Sequence, residues 1–408
     1  MKAVILAAGV GTRMAPLTET RPKVLLKVAG KTLLEWNLGS LQDSGIKDVT
    51  LVVGDKKIEE KYGNEFSGVA LTYKYQKKPL GTGDALSTAE PEGKFLVLNG
   101  DNLVDSGDVK KVLKALKSTK GMGVVAIRKE ENLSELGVVV QDSENRIEKI
   151  VEKPQKPPSE FANLGLYAFS EEFVKLLKTD KSSRGEVEIT DAITKADGIY
   201  GAEVEYWHHI TYPWDLLRTN EKFLKDISGE INGIVEPGAT LKGEVYVAEG
   251  ALVKNGAYIE GPAYIDRNAT VGPNCFIRGA TYLDEWVRVG NGVEIKNSIV
   301  HEQTYMSHLS YVGDSVIGSS CNLGAGTVCA NLRFDNSNCI VRVRDKKVDT
   351  GRRKLGLIMG DNSQTGINST INPGKRIGSN CLIGPGVIIT KDVPSGTKVY
   401  LKQELNGA

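Results

Sequence analysis

Aliphatic residues recur at every sixth position over much of the second half of the chain. A period of six fits neither an α-helix nor an alternating strand, and it is typical of a parallel β-helix in which each hexapeptide forms one side of a triangular coil. The sequence therefore predicts a β-helix over residues 231–396, with the recurring side chains in its core. The first uninterrupted run is Val235, Leu241, Val247, Val253, Ile259, Ile265, Val271, Ile277, Leu283, Val289 and Ile295.

The spacing predicts two interruptions of this register. The pattern resumes at Tyr311, and the step from Ile295 is four residues longer than two repeats, which predicts an inserted loop containing His308. Residues 332–354 also leave the pattern and are rich in Arg and Lys. Insertions on a solenoid are frequent places for function, because the stacked core tolerates little variation. The later core positions are Ile317, Leu323, Cys329, Met359, Thr365, Ile371, Ile377, Ile383 and Ile389.

The first 230 residues have a different pattern, in which short apolar strands alternate with amphipathic helices. Strands are predicted near 51–53, 95–98 and 124–127, and helices near 33–44 and 109–117. This alternation is typical of an α/β domain with a Rossmann-like, doubly wound sheet. A polar helix near 216–227 is expected to lead into the β-helix, and residues 397–408 are expected to form a tail.

The first predicted strand, residues 4–8, runs directly into the loop Gly9-Val10-Gly11-Thr12-Arg13. Glycines allow a sharp turn and let backbone N–H groups approach a phosphate. Arg13 and Lys23 add positive charge nearby. The loop lacks the third glycine of the dinucleotide fingerprint, and no Gly-Lys-Ser/Thr follows as in a P-loop. We therefore expect a distinct kind of phosphate site, suited to the reacting end of a nucleoside triphosphate.

Composition excludes several classes of function. The net charge of the 408 residues is +1, so the chain has no electrostatic footprint for nucleic acid or an anionic membrane. No apolar run is long enough to cross a bilayer, and the opening apolar stretch is too short for a signal peptide. Five cysteines without a C-x-x-C pair predict free, mostly buried thiols in a reducing compartment. We expect a cytoplasmic protein.

The string G-x-G-T-R-M-x-P-L-T followed by R-P-K resembles the signature of the sugar-1-phosphate nucleotidyltransferases. The resemblance continues through Q-K-K-P-L-G-T-G-D-A, N-G-D, E-L-G-V-V, E-K-P and A-N-L-G-L-Y. It implies that Asp101, directly after a strand, binds a metal ion. It implies a nucleotide site formed by Ala8, Gly9, Gly11, Thr12, Gln76, Gly81 and Thr82, and a sugar site formed by Gly137, Glu152, Lys153 and Asn163.

The resemblance breaks at one metal position. His209 stands where the family usually has an Asp, in a segment resembling W-x-D-x-G, and Thr211 replaces the glycine. Imidazole is a poor ligand for Mg²⁺ but suits Mn²⁺, Co²⁺ or Zn²⁺. The metal preference is shifted, Asp215 substitutes, or the site is weakened. For Asp215 the favoured interpretation is a helix N-cap.

In nucleotidyl transfer, an oxygen of the sugar phosphate attacks the α-phosphorus of the triphosphate in line, and pyrophosphate leaves. No protein nucleophile is needed, since positioning and charge neutralisation lower the barrier. The resemblance implies Mg²⁺, or Mn²⁺ or Co²⁺, on Asp101. It places Arg13 on the departing pyrophosphate and Lys23 on the acceptor phosphate.

A second string, M-S-H-L-S-Y-V-G-D followed by N-L-G-A-G-T, resembles the acetyltransferase half of the bifunctional enzymes that make UDP-N-acetylglucosamine, a left-handed parallel β-helix of hexapeptide repeats. An imidazole is suited to accept the proton that an amine loses when it attacks a thioester, so His308 is the predicted base. The resemblance implies that Arg278, Lys296, Tyr311 and Asn322 bind the acetyl acceptor, and that Asn331 faces acetyl-CoA. The longer, basic segment after Leu332 suggests a phosphate clamp at Arg352 and Arg353.

Three functions are compatible with these strings. The first is a bifunctional transferase that acetylates glucosamine 1-phosphate, or galactosamine 1-phosphate, and then couples the product to UTP. The second is a nucleotidyltransferase alone, using UTP or dTTP, with a β-helix that only trimerises. The third is a non-catalytic regulatory subunit. The first is favoured, because a scaffold has no need of His308, and the resemblance implies a homotrimer.

Overall fold

The structure, a computed structural model, describes residues 1–177, 181–182 and 185–404 and divides into two compact units. The end of the predicted tail, residues 405–408, lies outside the described residues. Within the described part, no helix is long and apolar enough to cross a membrane. The first unit comprises Met1–Val10, Pro22–Leu25 and Thr32–Ile210, and the second comprises Gly11–Arg21, Leu26–Lys31 and Thr211–Ala408.

The first unit is built on one mixed β-sheet. Strands β7 (Phe95–Asn99), β1 (Lys2–Ala7), β4 (Asp48–Val53) and β6 (Val69–Tyr75) lie side by side and run parallel. The antiparallel strands β12 (Phe161–Phe169) and β10 (Gly137–Gln141) continue the sheet beyond β7. Alternating sides of these strands bury Leu, Val and Ile against the helices. Along residues 2–209 the strands are β1 (Lys2–Ala7), β2 (Lys27–Val28), β3 (Lys31–Thr32), β4 (Asp48–Val53), β5 (Glu65–Phe66), β6 (Val69–Tyr75), β7 (Phe95–Asn99), β8 (Asn102–Leu103), β9 (Gly123–Lys129), β10 (Gly137–Gln141), β11 (Ile147–Glu152), β12 (Phe161–Phe169), β13 (Ile199–Glu203) and β14 (His208–His209). Of these, β2 pairs with β3 and β8 with β14 apart from the mixed sheet, and β2 belongs to the second unit.

Local capping sets where the helices begin. Thr32 Oγ1 accepts the N–H of Glu35 at 3.0 Å, and Glu35 returns a carboxylate to the N–H of Thr32 at 2.8 Å, which starts the first helix. The helix then buries Leu34, Leu38 and Leu41 on one side. The α-helices are α1 (Leu33–Asp43), α2 (Lys57–Tyr62), α3 (Thr82–Ala89), α4 (Ser106–Ser118), α5 (Ile189–Lys195) and α6 (Pro213–Lys225), and short 3₁₀ helices span Thr12–Met14, Lys23–Leu25 and Glu171–Leu177.

The second unit contains a parallel β-helix, as the period of six predicts. Its strands form three sheets in which each strand pairs with the strand one coil later. Sheet A contains β15 (Ile234–Val235), β18 (Leu252–Val253), β21 (Thr270–Val271), β24 (Arg288–Asn291), β27 (Tyr305–His308), β30 (Asn322–Leu323), β35 (Gln364–Thr365), β38 (Leu382–Ile383) and β40 (Lys398–Val399). Sheet B contains β16 (Thr240–Lys242), β19 (Tyr258–Glu260), β22 (Phe276–Arg278), β25 (Glu294–Lys296), β28 (Tyr311–Gly313), β31 (Val328–Cys329), β36 (Thr370–Ile371) and β39 (Ile388–Ile389). Sheet C contains β17 (Val245–Val247), β20 (Ala263–Ile265), β23 (Thr281–Leu283), β26 (Ile299–Val300), β29 (Val316–Ile317), β34 (Ile358–Met359) and β37 (Arg376–Ile377).

The predicted core positions are confirmed over the first run. Every one from Val247 to Ile295 is fully buried, while Val235 and Leu241 are partly buried and pack against the same core. All five cysteines are free and buried, as the sequence also predicts. The α/β fold of the first part and the β-helix of the second are therefore both confirmed.

The predicted inserted loop around His308 is wrong. After Ile295 the next core residues are Val300, Met306 and Val312, so the register is kept by sides of five and six residues rather than broken by an insertion. Val312 is fully buried, whereas Tyr311 beside it is only half-buried and points away from the core. His308 is the last residue of β27, in parallel register with Asn291.

Two shortened sides lie at the same edge of the β-helix, where sheet B passes into sheet C. The steps from Ile295 to Val300 and from Val312 to Ile317 are five residues each. Both turn through a non-glycine residue with a left-handed backbone, Asn297 at φ 47° and Asp314 at φ 49°. The edge therefore departs from the regular corner in two successive coils.

The predicted departure at 332–354 is confirmed, and it leaves the β-helix at this same edge one coil later. An antiparallel bridge between Leu332 and Lys354 closes the insertion. Within it, β32 (Ile340–Val343) and β33 (Lys346–Asp349) form a hairpin. The parallel pairing of Cys329 with Ile371 then restores the stack.

Helix α6 packs with the second unit, which differs from the predicted division at residue 230. The buried side chain of Asn220 donates to the carbonyl oxygen of Ala280 at 2.9 Å and accepts the N–H of Ala29 at 3.0 Å. A buried amide that satisfies two backbone groups fixes the helix and the segment 26–31 against the β-helix.

Candidate active sites

The residues predicted to bind the triphosphate and the metal follow parallel strands of the first unit. Ala8 and Gly9 come directly after β1, and Asp101 comes directly after β7. These two strands are neighbours, with Leu6 opposite Asn99, and the N–H of Gly100 donates to Leu6 at 2.9 Å. Carboxyl ends of parallel strands are where α/β sheets bind ligands. The structure thus places Ala8, Gly9 and Asp101 at one edge.

Gln76 reaches the same edge of the sheet, after β6. Its buried Nε2 donates to the Gly81 carbonyl oxygen at 3.1 Å and to Asp84 at 2.7 Å, so the acceptor Oε1 is the group that could meet the N–H of a pyrimidine. Gly81 has a φ of +113°, and a Cβ there would overlap the carbonyl oxygen of Val187. Only glycine fits this turn, which fixes the loop that carries Gln76 and Thr82.

Lys23 and Asp101 form an ion pair. The Nζ atom of Lys23 lies 2.8 Å from Oδ2 of Asp101, with the lysine almost fully buried and the carboxylate partly exposed. The pair holds the ammonium group at the carboxyl end of β7. Both residues are predicted to act on phosphate oxygens, Lys23 directly and Asp101 through a metal ion.

His209 lies beside the segment that carries Asp101. Strand β14 pairs with β8, which puts His209 opposite Asn102, and the N–H of Ile210 donates to the Asp101 carbonyl oxygen at 3.0 Å. Nδ1 of His209 is 2.5 Å from Oδ1 of Asn102, whose Nδ2 donates to Leu164 at 2.6 Å. Because Asn102 accepts from Nδ1, the lone pair of the ring is on Nε2.

These two donors fit a divalent cation of the Mn²⁺, Co²⁺ or Zn²⁺ kind. A carboxylate and an imidazole form a mixed oxygen and nitrogen set, whereas Mg²⁺ prefers oxygen alone. The ring of His209 is also held flat against Trp207, with centroids 5.5 Å apart and planes 13° apart. Asp215, the alternative ligand, accepts the N–H groups of Thr211 and Tyr212 at 2.8 and 2.7 Å. It therefore has a capping role, as the third residue of α6 rather than as the predicted N-cap.

The predicted sugar-binding residues lie on three adjacent strands. Gly137 on β10 is directly opposite Glu152 on β11, and Asn163 on β12 is one residue past the pair of Val138 and Ala162. Asn163 donates to the hydroxyl of Tyr167 at 2.9 Å, at a bulge in β12. Lys153 has a left-handed backbone and donates its N–H to Leu136 at 2.9 Å. The structure brings the four positions together.

The remainder of the glycine-rich loop groups with the second unit. Gly11 has a left-handed backbone at φ 68° and starts the 3₁₀ turn that carries Thr12 and Arg13. Its carbonyl oxygen accepts the hydroxyl of Thr18 at 2.9 Å. Arg344, at the tip of the inserted hairpin, donates to the hydroxyl of Thr12. Sequence reasoning missed this contact, although it singled out the insertion as basic.

Three of the predicted acetyl-acceptor residues lie in sheet B on successive coils. Arg278 is opposite Lys296, and Glu294 is opposite Tyr311. Arg278 is paired with Glu294 at 2.7 Å, so its guanidinium group is held near Tyr311. Arg278 and Lys296 both end strands of sheet B, at the edge where this sheet passes into sheet C.

Asp314, at the second shortened corner, organises this region. The buried carboxylate accepts from Nζ of Lys296 at 2.8 Å and from the amides of Asn297 and Asn331 at 2.9 and 2.6 Å. Asn331 also lies 3.2 Å from the hydroxyl of Tyr311. Burial, followed by the charge of Asp314, raises the pKa of Tyr311 above its ordinary value, so this hydroxyl stays protonated. The motif that predicts the site contains Asp314, but only the structure shows its role.

His308 and Asn322 are on sheet A instead. The side chain of His308 is exposed at the end of β27, and Asn322 is exposed on the neighbouring strand β30, opposite Tyr305. The chain turns from His308 to Tyr311 around the corner between sheets A and B, so the predicted base is three residues from the predicted acceptor contact. Asn322 is not brought together with Lys296 and Tyr311.

Arg352, one of the two residues of the predicted phosphate clamp, is paired with carboxylates of the second unit. Its guanidinium group pairs with Glu221 of α6 at 2.5 Å and lies 4.0 Å from Asp314, and Glu221 also accepts from Asn297 at 2.8 Å. Arg352 therefore neutralises carboxylates inside the fold, and the clamp stays a prediction. Arg353 is exposed.

Comparison with known proteins decides the family. Residues 2–224, more than half of the chain, match the family model described as nucleotidyl transferase. The chain belongs to the nucleotidyl transferase family. Within this nucleotidyl transferase, residues 259–348 match a second model, described as the GMPPB C-terminal domain. The resemblance inferred from the opening motif is thereby confirmed.

Relatives of this nucleotidyl transferase are similar along their whole length. A protein of Methanocaldococcus jannaschii named "Bifunctional protein GlmU" is 42% identical over 413 residues, covering 99% of this chain and 98% of that protein. A protein of Sulfurisphaera tokodaii named "Bifunctional sugar-1-phosphate nucleotidylyltransferase/acetyltransferase" is 41% identical over 405 residues, covering 97% and 99%. The first name states that the protein is bifunctional, and the second names the two activities that the two motifs predict.

Two solved structures support the fold of the first part. A protein described as a putative glucose-1-phosphate thymidylyltransferase from Bacillus anthracis aligns with a TM-score of 0.51 and 27% identity, covering 56% of this chain and 97% of that chain. A UDP-glucose pyrophosphorylase complexed with UDP-glucose gives the same TM-score at 23% identity, which supports the fold alone. The nucleotidyl transferase thus carries a complete transferase fold followed by a β-helix.

Proposed function

We propose that this nucleotidyl transferase carries out two successive transfers that yield UDP-N-acetylglucosamine. The second unit moves an acetyl group from acetyl-CoA to glucosamine 1-phosphate, and the first unit couples the product to UTP with release of pyrophosphate. The observation that carries the proposal is the full-length similarity to bifunctional proteins, joined to a separate cluster of predicted site residues in each unit.

The first unit performs its transfer by positioning and charge. Gln76 meets the pyrimidine through Oε1, and the backbone of Ala8 and Gly9 lies against the phosphates. Lys23, fixed by Asp101, binds the phosphate of the acceptor sugar and directs its oxygen at the α-phosphorus. From the sequence we assign Arg13 to the departing pyrophosphate. Gln76 serves uracil and thymine alike, so dTTP is an alternative substrate.

Asp101 and Nε2 of His209 would hold a divalent cation in this unit. When bound, that cation neutralises phosphate charge as the new bond forms. Asn102 orients the imidazole through Nδ1, which puts the lone pair of the ring on Nε2. We propose Mn²⁺ or Co²⁺ ahead of Mg²⁺, because of the nitrogen donor.

The second unit supplies a base and two anchored cations. His308 accepts the proton that the amine loses as its nitrogen forms the new bond to the thioester carbon and the C–S bond of acetyl-CoA breaks. Arg278 and Lys296 bind the sugar phosphate, each held beforehand by a carboxylate. Tyr311 positions the sugar, and Asn331 lies between it and acetyl-CoA. We propose that Asn322 contributes from the adjacent sheet of another copy, in a homotrimer.

Two assays separate the activities. The release of CoA from acetyl-CoA and glucosamine 1-phosphate should fall on the order of 10²–10⁴-fold in His308→Ala. The control is His208→Gln, on β14 of the first unit, which should leave CoA release unchanged. Undiminished release from His308→Ala would remove this residue as the base.

The second assay follows pyrophosphate release from UTP and N-acetylglucosamine 1-phosphate. We expect activity with Mn²⁺ or Co²⁺ that exceeds activity with Mg²⁺. No release with any of these ions would favour the non-catalytic alternative. Release without any acetyl transfer would favour the alternative with a scaffold β-helix. Galactosamine 1-phosphate should be compared in the first assay, since one hydroxyl distinguishes the two acceptors.

A further inference from the structure

Three polar side chains, two of them fully buried, converge at one edge of the β-helix. Asp284 and His301 directly follow the core residues Leu283 and Val300, which are paired on successive coils of sheet C, and Glu302 follows His301. Asp284 and His301 are 0% and 1% exposed, and the side chain of Glu302 is 30% exposed. One ligand atom from each lies within 4.8 Å of the others.

Each carboxylate in this cluster uses one oxygen for a cationic side chain and leaves the other without a hydrogen-bond partner among the described residues. Lys27 donates to Oδ1 of Asp284 at 2.8 Å, and Arg21 donates to Oε1 of Glu302 at 2.9 Å. Oδ2 of Asp284 and Oε2 of Glu302 are buried and have no hydrogen-bond partner among the described residues. Buried acceptors without hydrogen-bond partners are rare and unfavourable in proteins, so a bound ligand is expected at these two oxygens.

The imidazole of His301 has the same property. Both of its ring nitrogens are buried and lack a hydrogen-bond partner in the described part of the chain. Nδ1 lies 3.6 Å from Oδ2 of Asp284, too far for a hydrogen bond. In a tetrahedral metal site with bonds of about 2.0–2.2 Å, two ligand atoms lie roughly as far apart as Nδ1 of His301 and Oδ2 of Asp284 do here. The distance between these two atoms therefore fits two ligands of one ion.

We propose that Asp284, His301 and Glu302 bind a transition-metal ion in the β-helix. One imidazole nitrogen and two carboxylate oxygens form a donor set suited to Zn²⁺, Mn²⁺, Fe²⁺ or Co²⁺, whereas Mg²⁺ and Ca²⁺ prefer oxygen alone. The partly exposed carboxylate of Glu302 gives the ion a route from solvent. The ion satisfies the three groups at once and fixes two successive coils to each other.

A neighbouring set of carboxylates does not qualify. Asp266 lies close to Asp284 and Glu285, but its own oxygens are already satisfied. Oδ2 accepts the hydroxyl of Tyr282 at 2.8 Å, and Oδ1 accepts the N–H of Arg267 at 2.8 Å. The unpartnered atoms therefore select the set that contains His301.

The test counts metal ions on the full-length chain. Asp101→Asn and His209→Asn are combined to remove the metal ligands proposed for the first unit, and the protein is stripped with a chelator. Equilibrium dialysis against Zn²⁺, and separately Mn²⁺, is followed by elemental analysis. We expect one ion per chain, a rise in Tm when the ion is restored, and loss of both effects on adding His301→Gln.

Glu302→Gln provides a second variant, since this side chain is more exposed and tolerates the change if His301→Gln does not fold. It should weaken binding, and the visible spectrum of bound Co²⁺ should change because an oxygen donor is lost. Glu285→Gln is the matched control: this carboxylate also accepts from Lys27, at 3.2 Å, but is not a proposed ligand, so binding should persist. No ion bound before the cluster is altered, or an ion retained in both ligand variants, would overturn the proposal.

Discussion

Nζ of Lys23 is 2.8 Å from Oδ2 of Asp101, so the cation predicted to bind the acceptor phosphate is held by the carboxylate predicted to bind the metal. The pair explains how a buried lysine is tolerated at the end of a strand, because an unpaired buried ammonium group is strongly unfavourable. In the proposed nucleotidyl transfer, Asp101 therefore has two tasks: it binds the metal ion, and it holds Lys23 in place.

Asp101→Asn should lower the rate of pyrophosphate release on the order of 10²–10³-fold, because a preorganised group that stabilises phosphate charge is lost. The acetyl transfer of the same variant should be unchanged. Asp105→Asn is the matched control: Asp105 caps α4 by accepting from Asp108 at 2.7 Å, and Asn caps a helix equally well. Equal loss in both variants, or no loss in the first, would contradict the assignment.

Gly81→Ala should raise the KM for UTP by about tenfold or more, because a Cβ overlaps Val187 and the φ of +113° is strained for alanine. The displaced loop would misplace Gln76, which donates to the Gly81 carbonyl oxygen. Gly39→Ala, in α1 where a Cβ meets nothing within 4 Å, should leave the KM unchanged. A KM for UTP that stays the same in Gly81→Ala would argue against Gln76 as the base contact.

The corrected register predicts different effects for two adjacent residues. Val312→Ala should lower the free energy of unfolding by about 1–3 kcal/mol, because a fully buried side chain is truncated. Tyr311→Phe loses only the contact with Asn331, and should cost about 0.5–1.5 kcal/mol. Denaturant unfolding at fixed protein concentration measures both values. A larger loss for Tyr311→Phe than for Val312→Ala would restore the register that the sequence predicts.

Asp361 should contribute to stability in a pH-dependent way. Burial alone would raise the pKa of this carboxyl, but the charge of Arg21 and hydrogen bonds from Thr20 and Ser319 outweigh burial and lower the pKa. The folded state therefore favours the ionised form. The stabilisation is fully present above the ordinary carboxyl pKa of about 3.9 and is lost as the pH falls through the lower folded value.

Asp361→Asn removes this contribution and leaves Arg21 with a weaker partner. Because Arg21 keeps its ion pair with Glu302, we expect a loss of about 1.5–3 kcal/mol at neutral pH, measured by unfolding in the presence of a chelator. The difference between the variant and the natural protein should shrink on acidification below about pH 4. A difference that is constant from neutral to acidic pH would contradict the ionic origin.

Much of the fold could be predicted because its signals are local. The six-residue period fixes the β-helix, and the buried positions from Val247 to Ile295 follow directly from it. The carboxyl ends of β1 and β7 carry the loop and Asp101 that the motifs single out. Pairing of neighbouring strands then brings together Gly137 and Glu152, which the sequence could only associate by resemblance.

The remaining features depend on contacts that no local pattern encodes. Sides of five residues place Val312 in the core, whereas a count of six back from Ile317 selects Tyr311. The same shortened corners carry Asn297 and Asp314. The carboxylate of Asp314 accepts hydrogen bonds from Lys296, Asn297 and Asn331, and this network spans three coils, so no local pattern predicts it. The charge of Arg352 suggests a contact with substrate, and only the position of Glu221 shows that this guanidinium group is paired within the fold.

The most direct test of two successive transfers mixes two variants, each lacking one activity. His308→Ala and Asp101→Asn are supplied, separately and together, with glucosamine 1-phosphate, acetyl-CoA and UTP, and UDP-N-acetylglucosamine is measured. We predict almost no product from either variant alone, and product from the mixture, because the acetylated sugar phosphate passes from one protein to the other. Full product formation by either variant alone, or none from the mixture, would contradict the account.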